Sequence, residues 1–156
     1  MKKILIIAAI MSSSAFAADL PNPQLTPGVI NPAVTQDNIH QTICVSGWTK
    51  TIRPPASYTN KLKLEQMAAM GLTGSPHLYE EDHLISLELG GSPTDPKNLW
   101  PQAWGDMNSW GAHKKDVIET HLKTLVCNGT ITLAEAQHDI ATDWIAAYNK
   151  YIVAKK

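Results

Sequence analysis

The order of segments between residues 79 and 126 restricts the fold of this chain more than any other feature. YEEDHLISLEL (79–89) is a short apolar-containing run, GGSPTDPKN (90–98) is rich in Gly, Pro and Asp, and LWPQ (99–102) is again brief and apolar. This pattern predicts two short strands joined by a long loop. After the polar GDMNSWGA stretch, Ile118, Leu122 and Leu125 recur on one helical face among His113, Lys114, Asp116, Glu119 and Lys123. That spacing predicts an amphipathic helix over 112–126 ending near Gly129.

The N-terminus predicts export. Lys2 and Lys3 precede an apolar run from Ile4 to Met11 and the small-residue ending Ala15-Phe16-Ala17, the pattern read by signal peptidase. Residues 1–17 are therefore read as a cleavable signal, with Ala18 as the new N-terminus. No later apolar run reaches the roughly 20 residues needed to span a bilayer, so no membrane anchor is expected. Removing 17 of the 156 residues leaves 139, the size of one domain with a real core.

Without Lys2 and Lys3, 11 basic side chains face 14 acidic ones, a net charge of −3. Such a balance excludes a protein that grips polyanions by bulk charge, so any nucleic-acid reading has to rest on a local site. Cys44 and Cys127, the only cysteines, stand 83 positions apart. Export would take them to an oxidising compartment, which predicts that they pair; two buried thiols are the alternative. Two cysteines cannot form a four-cysteine zinc site, and this spacing is not a C-x-x-C redox motif.

Elsewhere, Pro21, Pro23, Pro27 and Pro32 make residues 18–34 an extended leader. A short helical turn is expected after Thr35. Ile43 to Ile52 alternates enough to predict a strand stopped by Pro54-Pro55, and Asn60 to Met70 predicts a helix ended at Gly71. Thr132-Leu133-Ala134-Glu135 is a capping box opening a second helix through Ile140, Trp144, Ala147, Tyr148 and Tyr151. The fold expected is α+β, one mainly helical domain over 35–156 with a strand-loop-strand-helix core at about 79–126 and one disulfide.

The chemistry-bearing residues fall on that core: Asp82-His83 at the end of the first strand, Asn98 at the entry to the second, and His113 at the start of the helix. The stretches EDHLISLELGG (81–91), NLWP (98–101) and Lys115-Asp116 with Glu119 resemble the HNH, or His-Me finger, endonuclease superfamily. The closer likeness is to small exported bacterial proteins with an EDHLIPLELGGSPTDPRNLWP signature followed by A-x-x-KD-x-x-E. It runs from about Thr35 to Tyr151.

The resemblance implies a ββα-metal core and a metal-dependent endonuclease cutting DNA or RNA outside the cytoplasm. In that reading His83 activates water, Asn98 holds the loop that aims the histidine, and Asp82 and His113 bind the metal. Asn108, Asp116 and Glu119 are alternatives for the position given to His113. The implied cofactor is a divalent ion, Mg²⁺ first, with Mn²⁺, Zn²⁺ or Ni²⁺ as alternatives. A histidine suits the base because its ordinary pKa lies near neutrality, and a cation would neutralise charge on the phosphate. Glu81, Asn108, Lys115, Asp116 and Glu119 would orient the ligands, or Lys115, Asp116 and Glu119 would form only a helix-face set of ion pairs. The partner implied is a nucleic acid substrate acted on by a monomer; no inhibitor protein can be inferred.

Three features depart from the family. Ser86 stands where D-H-x-x-P has proline, the bracing C-x-x-C pairs are missing, and adjacent strand residues point to opposite faces, so Asp82 and His83 share a site only if the strand twists or ends there. The competing function is a non-catalytic exported module binding an envelope glycan or a protein, suggested by the acidic balance and by Trp104 and Trp110 in a polar loop. His40, His77, His121 and His138 read as surface or satisfied core residues.

Overall fold

A computed structural model describes residues 20–106 and 108–154. The predicted export signal at 1–17 lies outside them. The fold is α+β and mainly helical, around one two-stranded antiparallel sheet.

Strand β1 (Tyr79–His83) pairs with β2 (Leu99–Ala103) in a register running from Tyr79 opposite Ala103 to His83 opposite Leu99. One more hydrogen bond, from Leu84 N–H to the Asn98 carbonyl at 2.8 Å, closes the mouth of the loop 84–98. Pairing stops there because Gly90 needs a left-handed φ of 72° and Gly91 approaches Ile85 closely. A Cβ on Gly91 would lie 1.7 Å from the Ile85 carbonyl oxygen.

Helices surround the strand pair. The predicted long ones appear as α3 (Ala112–Cys127) and α4 (Leu133–Tyr148), which pack on each other through Ile118, Leu122, Ile140 and Trp144, all fully buried. Only the N-cap half of the predicted α4 capping box forms: the Thr132 hydroxyl accepts from Glu135 N–H at 3.1 Å, while the Glu135 carboxylate accepts from Lys150 and Tyr151. Asp143 leaves helical geometry, and its carboxylate accepts from Ala146 N–H at 2.9 Å, restarting the last turns. Among the described residues no helix is long and apolar enough to cross a membrane.

The predicted strand over 43–52 is not one. Hydrogen-bonded turns run through Thr42 to Trp48, Gly47 takes a left-handed φ of 79°, and α1 (Trp48–Ile52) follows. The alternation came from a corner in which Ile43 enters the core while Val45 stays in solvent, without a partner edge to pair with. Cys44 in this corner is bonded to Cys127 at the end of α3, with their Cα atoms 5.7 Å apart.

Helix α2 (Ala56–Ala69) begins directly after Pro55, earlier than the predicted Asn60. It leans on the strand pair through polar side chains: Lys63 Nζ donates to the Pro76 and Tyr79 carbonyls, and Gln66 Nε2 to those of Pro96 and Leu99. From residue 20 the leader is not simply extended: it turns at residues 23–25 and 32–33, buries Thr26 and Val34, and lies along the loop, where Ile30 bridges Gly91.

Candidate active site at the strand-loop-strand-helix junction

Asn98 shapes the loop. Its Oδ1 accepts from Ile85 N–H at 3.0 Å and Val29 N–H at 3.3 Å, and its Nδ2 donates to the Ile85 and Ser92 carbonyls at 3.0 and 2.9 Å. All four directions of a fully buried amide are thus engaged by backbone.

The loop so fixed presents the Pro93 carbonyl to His83, whose Nε2 lies 3.0 Å from it. A carbonyl only accepts, so Nε2 carries the hydrogen and, in the neutral ring, Nδ1 keeps the lone pair. Burial pushes the imidazole below its ordinary 6.5; the Pro93 bond and Asp82 oppose this, while Lys115 and Arg53 add to it. A neutral ring with a fixed tautomer is the form a general base requires.

Asp82 faces away from that ring. Its Oδ2 lies 2.7 Å from Lys115 Nζ, and the same ammonium contacts Glu119 Oε1 and donates to the His83 carbonyl at 2.7 Å. Lys115 has 0% exposure. Burial alone would lower its pKa, but the Asp82 and Glu119 carboxylates reverse that and hold it above the usual lysine value. Glu119 is pushed up to about 8 by burial and then by Asp82, against Lys115 and Ser86. Ser86 also accepts from Glu88 N–H and so caps the turn Leu87–Leu89.

The donors present do not fit a divalent ion at Asp82. A lysine ammonium already pairs by charge with its Oδ2, though without hydrogen-bond geometry, and His113 is exposed, its ring 5.2 Å from that of Trp104. Among the described residues no three His, Cys, Asp or Glu side chains are grouped as a metal site. Asn108 sits in an exposed turn, donating its N–H to Asp106 Oδ1. Asp116 is exposed on α3, its carboxyl raised by partial burial and then by Asp82.

His83 and Glu81, alternate residues of β1, line a cleft of about 340 Å³ with Glu80, Arg53, Lys63 and Trp104. Both Glu81 oxygens are buried without a hydrogen-bond partner among the described residues. Burial first, then Asp82, raises this carboxyl to about 8 against the pull of Lys63. Glu80 rises to about 7 from burial, Asp82 and Asp116. Sequence reasoning missed Arg53, Lys63 and Glu80. Only Glu80, two positions from Asp82 in a predicted strand, carried a signal that could have found it.

Of the other candidates, Trp110 is part-buried and packs edge-on against Trp144 and Tyr148 at the margin of the core, whereas Trp104 stays part-exposed at the cleft with its indole N–H on the His77 carbonyl. His40, His77 and His138 are exposed, as expected. His121 is neither surface nor satisfied core: its Nε2 is buried without a hydrogen-bond partner among the described residues. Comparisons of the chain with models of protein families, with curated proteins and with solved structures give no match.

Proposed function

We propose that this chain is an exported phosphodiester hydrolase acting on nucleic acid, with His83 as general base. The observation that carries the reading is the tethered imidazole: Nε2 is committed to the Pro93 carbonyl, burial keeps the ring neutral, and the ring borders a cleft that also holds Arg53. The order of strand, Asn98-pinned loop, strand and helix agrees with the resemblance read from the sequence.

In the proposed step, Nδ1 of His83 takes a proton from water as the water oxygen bonds to phosphorus. The bond from phosphorus to the leaving oxygen breaks, and that oxygen takes a proton from solvent. Arg53, exposed on the cleft wall, supplies positive charge to the non-bridging oxygens. Asn98 contributes by fixing the loop that holds the ring. A divalent ion is the part of the resemblance that the donor set does not support, and no step is assigned to one.

The test is cleavage of plasmid DNA and of single-stranded RNA by the purified protein, with and without Mg²⁺ or Mn²⁺ and in EDTA. His83→Ala should reduce cleavage by about 10²–10⁴-fold, the usual contribution of a general base. Equal activity in wild type and His83→Ala refutes the proposal. The second reading, a non-catalytic binding module, is favoured by one observation, the part-exposed Trp104 at the cleft edge. It predicts glycan or protein binding that survives His83→Ala and fails in Trp104→Ala.

A further inference from the structure

We infer that Lys115 is the built-in cation of this frame: its ammonium occupies the place beside Asp82 where a divalent ion would have to sit, so the chain binds no such ion there. Charge and space both point this way. An ammonium has three N–H donors. Here three oxygens surround Nζ: Asp82 Oδ2 and the His83 carbonyl, each at 2.7 Å, and Glu119 Oε1. The ammonium donates to the His83 carbonyl and Glu119, its contact with Asp82 Oδ2 is an ion pair without hydrogen-bond geometry, and the lysine has no contact with solvent.

A divalent ion could reach Asp82 Oδ2 only by expelling the ammonium into a buried space without partners, which strongly disfavours entry. The oxygens themselves are the hard donors that Mg²⁺ and Mn²⁺ prefer. What excludes the ion is therefore the lysine and not the chemistry of the cage. Taking away the amine should turn the same three oxygens, with water in the vacated space, into a cation site.

The functional half of this inference rests on the proposed hydrolase: cleavage by the wild type should change by less than about twofold in EDTA. The binding half involves no nucleic acid, so it can be decided even if the chain cuts nothing. Mn²⁺ is the probe, followed by electron paramagnetic resonance on the intact, disulfide-bonded protein. Wild type should show no saturable Mn²⁺ site that depends on Asp82. Lys115→Ala should bind one Mn²⁺ per chain, and the double variant Lys115→Ala/Asp82→Asn should lose at least tenfold in affinity. Where Lys115→Ala is unfolded without metal, Mn²⁺ should restore its circular dichroism, and failure at millimolar Mn²⁺ overturns the inference. A folded Lys115→Ala that does not bind Mn²⁺ overturns it too. So does a wild-type Mn²⁺ site abolished by Asp82→Asn, or wild-type cleavage lost in EDTA.

Discussion

Asn98 and Ile85 exchange two hydrogen bonds, the amide oxygen accepting from the Ile85 N–H and the amide nitrogen donating to the Ile85 carbonyl, both at 3.0 Å. A side chain here does what a neighbouring strand would do, and it does so where the loop next to His83 leaves the sheet. Asn98→Asp keeps the shape but points a carboxylate at the Ile85 and Ser92 carbonyls. We expect it to cost about 3–5 kcal/mol, more than Asn98→Ala, because buried acceptors are left facing a charge. Urea unfolding of both variants checks the order; an aspartate variant as stable as wild type contradicts it.

Gly91 is required by contact and not by dihedral. Its missing Cβ would meet the Ile85 carbonyl oxygen at 1.7 Å and Asn98 Nδ2 at 2.8 Å, neither of which can move without dismantling the loop. Gly91→Ala should cost about 3 kcal/mol or more. Gly47→Ala meets nothing within 4 Å and is penalised only for its positive φ, about 1 kcal/mol. Thermal melts of the two variants compare them directly.

Glu81 carries a stability cost that depends on pH. Its folded pKa is raised to about 8 from an ordinary 4.5, so its contribution favours folding below pH 4.5 and is lost as pH rises through about 8. Glu81→Gln removes the buried charge and should raise Tm at pH 9 by roughly 3–6 °C, about 1 kcal/mol or a little more after allowing for partial solvent access. At pH 5 the gain should nearly vanish. A gain equal at both values would contradict the assignment.

His83 titrates in the opposite sense. Its folded pKa lies below the ordinary 6.5, so the neutral ring favours folding above that value and the contribution is lost as pH falls. The acid limb of kcat/KM for phosphodiester cleavage should therefore have its inflection below 6.5, with a plateau at neutral pH. A limb centred above the ordinary value would argue against this histidine as the base.

The Cys44–Cys127 bridge links residues 83 positions apart, for which the chain-entropy model gives about 4–5 kcal/mol. Cys44→Ser/Cys127→Ser should melt lower than wild type, and dithiothreitol should lower the wild-type melt to match. Equal melting with and without reductant would show that the bridge does not contribute.

Local chemistry was legible. The turn residues of the loop, the Thr132 N-cap and the apolar stripe of α3 each depend on neighbours within a few positions, and each appeared where expected. The strand read over 43–52 failed because alternation reports which side chains are buried and not whether a partner edge exists. Lys115 was legible as a partner of Glu119 but not as a buried one, although it stands three residues before Ile118 and seven before Leu122, on the buried face of the helix. The helical phase held that information, and only the expectation that lysines stay wet hid it. Arg53 and Lys63 reach the cleft through the corner at Pro54-Pro55, a tertiary placement that no local pattern encodes.

The leader also holds the loop. Val29 N–H bonds Asn98 Oδ1 across 69 residues of sequence, Gly28 N–H reaches the Lys97 carbonyl, and the Val29 carbonyl receives Ser92 N–H. Order of synthesis then matters, since the earliest of these residues wait unclasped until β2 leaves the ribosome. A protease that trimmed the front of the chain past Val29, twelve residues beyond the predicted signal cleavage, would strip these three bonds from the loop beside the histidine while sparing the cystine and the long helices.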